Sequence, residues 1–524
     1  PVLLPRMPDL GFWNIARDNP DHVALIDHDG NVTTAAELLA AQNQVVHGLR
    51  ALGLGTGDAV AVCLPNGREF FEIYLACLQA GMYLVPINHH LVGPEVAYIV
   101  NDSEAKAFVT HERFADTATA AAKEIDVADD ARFSIGHVDG YRDYEADLKD
   151  GQPTSDPTER TMGTVMNYTS GTTGRPKGVR RPLTGADPDV AGGMLGGMLL
   201  LFKGQPFDDN VHIIGSPLYH TAVLQFGAGS MHLGHTLVVM DKWTPEGMLE
   251  RIDRYKVTTS HMVPTQFVRL LNLDDDIKKM YDVSSLRHMI HAAAPCPPDV
   301  KRRMIEWWGD TIDEYYAASE GGGTIVFADE WKKKPGTVGQ PWPISEVAIF
   351  DDDGNRIEEP NKVGTVYMAM SSGDFEYYKD KDKTKKNRIG KFFTVGDVGY
   401  LDEDGWLFLS DRKIDMIISG GANIYPSEIE SVLINHPKIA DVAVFGIPDE
   451  DWGEQVKAVV EPVEGVEGGP ELEAEILAWA KDQLAKYKTP KSIDFTTDMP
   501  RDPNGKLYKR KLRDPYWEGR ERAI

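Results

Sequence analysis

The sequence predicts an α/β protein: a large N-terminal domain of parallel or mixed sheets layered with helices, a β-rich subdomain, and a small α+β C-terminal domain. Three observations predict it. Between residues 34 and 96, helical and strand-like apolar spacings alternate, the pattern of strand–helix–strand units in a parallel sheet covered by helices. After about residue 335 the texture changes to short strands separated by Gly/Asp turns. Beyond Asp411-Arg412 one more group of strand and helix patterns fills a stretch of typical small-domain size.

The elements follow in order. Thr34 to Leu54 has helical spacing and stops at Gly55-Thr56-Gly57; Asp58 to Leu64 (DAVAVCL) is small and branched, like a buried strand. Arg68 to Met82 is helical again, and Tyr83 to Ile87 reads as the next strand. Val211 to Ile214 and Leu237 to Met240 are strand-like. Glu246 to Lys256 carries Met248, Leu249 and Ile252 on one helical face, and Val257 to Val263 and Arg287 to Ala293 are further strands. The β-rich part contains SEVAIFD, GTVYMAM and GWLFLSD. In the C-terminal part, Ser427-Glu-Ile-Glu430 has the spacing of a capping box, with Ile429, Val432 and Leu433 on one face. Asp441 to Gly446 reads as a strand and Glu471 to Lys486 as an amphipathic helix. The expected domains are residues 1–411 and 412–524.

Composition narrows the partners. The 524 residues carry a formal net charge of −26, which argues against nucleic acid or an anionic membrane surface as the main partner, since both require a basic patch. Cys63, Cys77 and Cys296 have neither metal-ligand spacing nor the even count of a disulfide framework, and are expected as buried thiols in a reducing cytosol. The N-terminal stretch lacks a signal-peptide core, and the longest apolar run, Met194 to Phe202, is far short of the roughly 20 residues that span a bilayer. A cytoplasmic protein with no transmembrane segment is expected. A homodimeric state remains open.

The most informative stretch is YTSGTTGRPKGV, Tyr168 to Val179. Hydroxyl donors at Ser170, Thr172 and Thr173, close backbone approach at Gly171 and Gly174, and the charge of Lys177 suit a polyphosphate. The glycine–lysine spacing is not that of a Walker A loop, and Gly178 stands where that loop has its magnesium-binding Ser/Thr.

This stretch resembles the signature loop of the adenylate-forming superfamily: acyl-CoA synthetases, luciferases and peptide-synthetase adenylation domains. Other segments resemble the family's motifs in the family's order: Tyr315-Tyr-Ala-Ala-Ser-Glu320, Phe393-Thr-Val-Gly-Asp397, Asp411-Arg412, Ser419-Gly-Gly421 with Pro426-Ser-Glu-Ile-Glu430, and Pro500-Arg-Asp-Pro-Asn-Gly-Lys506. The resemblance implies an acyl-CoA ligase using ATP, Mg²⁺ and coenzyme A, with a mobile C-terminal domain. It implies that Lys506 is the catalytic cation, that Glu320 holds Mg²⁺, and that His220, in Ser216-Pro-Leu-Tyr-His220, stands beside the carboxylate. Thr169, Ser170, Gly171, Thr172, Thr173, Gly174 and Lys177 would bind the phosphates with Ser319. Ala293, Ala294 and Pro295 would lie beside adenine, Tyr316 would stack on it, and Asp397 and Arg412 would grip the ribose. After adenylation the small domain would turn, and Ser419, Gly420 and Gly421 would line the pantetheine tunnel. Three positions depart from the family pattern: Ile414 replaces the charged hinge residue of many members, Val395 a threonine and Ala317 a glycine. A hinge role that needs a charge is not expected of Ile414.

No acid occurs from Ser216 to Gly227, so nothing there would pair with an α-ammonium group. Tyr219, Gln225, Gly227 and Gly229 are the expected acyl-pocket residues. The expected substrate is an aliphatic carboxylic acid of medium to long chain. A bulky alicyclic acid, a carrier-protein acceptor and an enzyme of one half-reaction are the alternatives.

Overall fold

The computed structural model describes residues 10–169, 176–207, 209–317, 322–370, 376–377, 387–412, 415–419, 422–501, 505 and 507–518. The chain divides into two compact units. Residues 1–261, 276–289 and 374–385 form the first, and residues 262–275, 290–373 and 386–524 the second.

The first unit contains β1 (Val23–Ile26), β2 (Val32–Thr34), α1 (Ala35–Ala51), β3 (Ala59–Val62), α2 (Arg68–Gln79), β4 (Tyr83–Pro86), α3 (Gly93–Asp102), β5 (Ala105–His111) and β6 (Arg132–Ile135). β6, β5, β3 and β4 lie side by side in that order and run parallel. All four residues of β3 are buried, as required of a central strand covered on both faces. α1 starts where the sequence directs it. Glu37 N–H donates to Thr34 Oγ1 at 3.2 Å, and Glu37 Oε2 accepts from Thr34 N–H at 2.8 Å, which satisfies two orphan donors of the first turn. Gly53, at φ +87°, follows the helix in the left-handed conformation that a glycine supplies without a Cβ clash.

Farther along the same unit are β7 (Asn167–Thr169), β8 (Lys177–Arg180), β9 (Val211–Ile214), α4 (Thr221–His232), β10 (Thr236–Val239), α5 (Pro245–Tyr255) and β11 (Thr259–Met262). β9 pairs in parallel with β10 and β11, and β10 with β1. The alternation expected over residues 34–96 is therefore present, and it recurs after residue 210 as expected.

The second unit contains α6 (Pro264–Leu271), α7 (Pro298–Trp308), β13 (Ile312–Ala317) and β14 (Gly323–Val326), with β12 (His288–His291) leading into it. The expected β-rich stretch is β15 (Ser345–Phe350), β16 (Gly364–Met370), β17 (Asp397–Leu401) and β18 (Leu407–Arg412), paired antiparallel in that order. The C-terminal elements are β19 (Ile417–Ser419), α8 (Pro426–Leu433), β20 (Ile439–Asp449), β21 (Gly453–Pro462), α9 (Pro470–Gln483) and β22 (Ser492–Phe495). They enclose their own core of Ile417, Ile429, Val444, Val460 and Ile476.

One local expectation is corrected. The Ser427 capping box does not form: α8 begins at Pro426, with Tyr425 as N-cap. Proline has its φ fixed for the first helical position, so it starts the helix one residue before Ser427. The Ser427 hydroxyl donates to the Ser410 carbonyl instead, and Glu430 Oε1 accepts from Val444 N–H at 2.7 Å. Cys63 and Cys77 are buried as expected, whereas Cys296 keeps part of its surface exposed. Among the described residues, no helix is long and apolar enough to cross a membrane.

Candidate active site

In the first unit, β7 and β8 flank the hydroxyl- and glycine-rich loop and pair antiparallel, with Lys177 opposite Thr169 and Gly178 opposite Tyr168. Lys177 is thus carried at the start of a hydrogen-bonded strand. A Cβ at Gly178 would lie 2.4 Å from Met166 Cε and 3.0 Å from the Tyr168 ring, so a side chain here would have to displace both. Tyr168 Oη donates to Asp102 Oδ2 at 2.8 Å, and Tyr98 Oη donates to the Pro176 carbonyl at 3.1 Å. Both ends of the loop are tied to α3. Ser170, Gly171, Thr172, Thr173 and Gly174 lie outside the described residues.

His220 is the N-cap of α4. The preceding loop is held by Asn66, which is only 8% exposed. Asn66 Nδ2 donates to the carbonyls of Ser216 (3.0 Å) and Met240 (3.1 Å), and Asn66 Oδ1 accepts from Leu218 N–H at 2.8 Å. A ladder of rings supports the histidine. His220 packs on Tyr219 with centroids 4.3 Å apart, Tyr219 meets His89 edge-on at 5.0 Å, and His89 stacks on Phe114 at 4.7 Å. Burial, then the neighbouring His90, hold the His89 imidazole down at about 4, so it is neutral at physiological pH.

The four expected acyl-pocket residues divide. Tyr219 is in the ring ladder, and Gln225 is exposed on α4, on the side of half-buried Thr221 and Ala222. Gly227 and Gly229 face packed protein: an added Cβ would lie 2.9 Å from Ile214 Cδ1 and 3.0 Å from the Leu195 carbonyl oxygen, respectively.

In the second unit, three expected nucleotide residues come together. Tyr316 Oη donates to Asp397 Oδ2 at 2.6 Å. Asp397 opens β17 directly opposite Arg412 of β18 in the antiparallel register. Asp397 is placed by the turn before it: Gly396 has φ +90°, and its N–H donates to Thr394 Oγ1 at 3.0 Å. Ala293, in the strip after β12, is a non-glycine residue at φ +73°. Ala294 and Pro295 continue that strip. Ser419 ends β19 opposite Gly453. Gly505, next to Lys506, has φ +76°; an added Cβ there would lie 2.6 Å from Thr265 Oγ1. The Gly505 carbonyl accepts from Arg501 Nη1 at 2.6 Å, and Arg501 also pairs with Asp441. Ser319, Glu320, Gly420, Gly421 and Lys506 lie outside the described residues, as do the side chains of Thr169 and Arg412. Among the described residues, no group of three or more His, Cys, Asp or Glu side chains could hold a metal ion.

The motif reading passed over Asn66 and His89. The signals for them were a Pro-Asn-Gly turn between a strand and a helix, and two adjacent histidines just after a buried strand.

A family model described as AMP-binding enzyme matches residues 12–375, and one described as AMP-binding enzyme C-terminal domain matches residues 428–506. The chain therefore belongs to the AMP-binding enzymes, in the branch of the adenylate-forming acyl-CoA ligases. It is 31% identical to a feruloyl-CoA synthase of an Amycolatopsis species over 97% of this chain and 99% of that protein. It is 29% identical to the fatty acid–[acyl-carrier-protein] ligase ScoC of Streptomyces coeruleorubidus over 95% of this chain and 94% of that one. The crystal structure of ATP-bound MatB from Rhodopseudomonas palustris superposes with a TM-score of 0.79 at 29% identity, covering 97% of this chain and 99% of that one. The α/β fold class and the AMP-forming acid–CoA ligase class expected from the sequence are thus established.

Proposed function

We propose that this chain activates an aliphatic carboxylic acid of medium to long chain and transfers it to coenzyme A. A free carboxylate is a poor acyl donor because it would have to expel oxide. Attack of its oxygen on the α-phosphorus of MgATP breaks the bond to the β-phosphate and releases pyrophosphate. The resulting acyl-adenylate can lose AMP. The CoA thiol then gives up its proton, its sulfur attacks the carbonyl carbon, and AMP leaves with the electron pair of the cleaved C–O bond.

In this reading Lys506 supplies the cation for the first transition state, where charge gathers on phosphate and carboxylate oxygens. Glu320 meets the Mg²⁺ that arrives with ATP, a hard cation that prefers carboxylate oxygen. The Ser170–Gly174 loop, Lys177 and Ser319 bind phosphate, Tyr316 and the strip from Ala293 to Pro295 hold adenine, and Asp397 with Arg412 holds ribose. The domain from Arg412 onward acts as a lid. Its turning withdraws Lys506 and brings in Ser419, Gly420 and Gly421 for the thiol step.

The observation that carries the choice of acid is the neutral α4. His220 stands at its N-terminal end, no acid occurs from Ser216 to Gly227, and Thr221, Ala222 and Gln225 occupy its less buried side. An α-ammonium substrate would find no partner there. The likeness to ScoC favours a second reading, in which the accepting thiol belongs to a carrier protein.

The test is mass spectrometry of products from the purified protein given ATP, Mg²⁺, CoA and a mixed panel of fatty, aromatic, steroid-like and amino acids. Fatty acyl-CoA as the main product is the expected result. An aromatic or alicyclic thioester as the main product would overturn the aliphatic assignment. Adenylates without thioesters would select the carrier-protein acceptor.

A further inference from the structure

Glu314 is a charged side chain inside a buried strand. β13 carries it at 7% exposure, two residues before Tyr316 and therefore on the same face of the strand. Its Oε2 accepts from Lys301 Nζ at 2.6 Å, and Lys301, on α7, is fully buried at 0% exposure. The same oxygen lies 3.5 Å from Nε2 of His291, the last residue of β12. Lys301 Nζ also sits 5.1 Å from the centre of the Trp331 ring.

Stability alone is a poor reason for this cluster. Taking a lysine and a carboxylate out of water is costly, and apolar side chains of the same shape usually do as well or better. Position is a better reason. His291 and Lys301 stand on either side of Ala293-Ala294-Pro295 in the sequence, and both approach one carboxylate on the strand of Tyr316. Between them Ala293 is held at φ +73°, a conformation that persists in a non-glycine residue only where its surroundings impose it.

We propose that Glu314, bonded by Lys301 and with His291 beside it, is a positioning residue for the nucleotide: it fixes the strip Ala293–Pro295 relative to the Tyr316 ring and so sets the slot for adenine. The proposal rests on the assignment of Tyr316 and the strip to adenine. A structural role would lower stability and all substrates' apparent affinities together. A positioning role acts on ATP.

The test titrates ATP calorimetrically into the full-length wild type and variants, with melting temperatures and KM values for ATP, acid and CoA. Glu314→Gln and Lys301→Met should each weaken ATP binding by roughly ten-fold, leaving KM for the acid and CoA unchanged. Lys301→Arg, which keeps the charge, should bind ATP like the wild type. The double variant Lys301→Met/Glu314→Leu should regain the wild-type melting temperature without regaining ATP affinity. It carries the test if the single variants do not fold, together with Glu314→Asp, which keeps the charge but shortens the reach. A double variant that melts and binds ATP like the wild type would overturn the positioning role alone. So would equal losses for all three substrates. A wild type that binds no ATP would overturn the nucleotide-site assignment, and this proposal with it.

Discussion

In the proposed nucleotide site, substitutions at Tyr316, near the end of β13, and Asp397, at the start of β17, would separate the contributions of the two side chains that one hydrogen bond joins. Asp397→Ala removes a charged acceptor, worth about 1.5–3 kcal/mol per hydrogen bond, and should raise KM for ATP by about ten- to a hundredfold. Tyr316→Phe keeps the ring and loses only the 2.6 Å hydrogen bond, so its effect should be a few-fold. Steady-state kinetics at varied ATP checks both, and an unchanged KM in Asp397→Ala would remove that residue from the nucleotide site. Ala293 makes a different prediction. The left-handed conformation costs a non-glycine residue about 1–2 kcal/mol. Glycine relieves it but loses about 0.5–1 kcal/mol of backbone entropy. Ala293→Gly should therefore leave stability unchanged or raise it by up to about 1.5 kcal/mol in denaturant melts. A clear loss would mean that the Ala293 methyl group packs against something the strip depends on.

α4 shows how an element can mislead when read as a string. Gly227 and Gly229 look like room for a ligand, but their missing side chains make room for Ile214 and the Leu195 carbonyl. Gly229→Val should destabilise the protein by about 1–3 kcal/mol through overpacking without changing which acids are accepted. Gln225→Ala should leave stability within about 0.5 kcal/mol, as expected of an exposed position, while shifting the acid profile. Thermal melts and the acid panel on the two variants separate these outcomes. The same contrast explains what was legible beforehand. Strands such as β3 and helices such as α1 were visible because their period and caps are local properties of the sequence. The opposition of Asp397 and Arg412 was half visible, since each lay in a motif but only the register of β17 and β18 pairs them. The start of α8 was misread because Pro426 decides it, not Ser427. Asn66, His89 and the Lys301–Glu314 pair left only faint traces, because their partners lie far away in sequence and contact over that distance has no local period.

At the scale of the whole molecule, a division of labour should be measurable. Lys506→Ala should slow adenylate formation by about 10²–10³, the usual cost of removing one transition-state charge partner. It should spare thioester formation from a supplied acyl-adenylate, and loss of both steps would refute a lid that presents different residues to the two reactions. A second whole-molecule property follows from the core of the first unit. Burial holds His212 and His232 down at about 3 and His261 at about 4, against an ordinary value of 6.5. All three are therefore neutral in the folded protein at any pH above about 5 and charge freely once it unfolds. Above 6.5 neither state takes up protons at these sites, so their contribution to stability is fully present and flat. Below 6.5 the unfolded chain binds protons that the folded chain refuses, and stability falls as pH falls. Each histidine contributes about 1.4 kcal/mol per pH unit over that window, and these three together with His89, also held down at about 4, contribute about 5 kcal/mol per unit. Exposed carboxylates titrate mainly below about pH 5, so between 6.5 and 5 the imidazoles dominate, opposed by the carboxyls of Glu69 and Glu314, which burial pushes up. Denaturant midpoints at pH 8, 7, 6 and 5 should be level for the first two and then drop steeply. His261→Gln should make the drop shallower by at most about a quarter, because one of at least four imidazoles that the folded chain keeps neutral is gone. A midpoint that holds level down to pH 5 would mean that these histidines are hydrated or charged in the folded protein, and that water reaches the sheet of β9, β10 and β11.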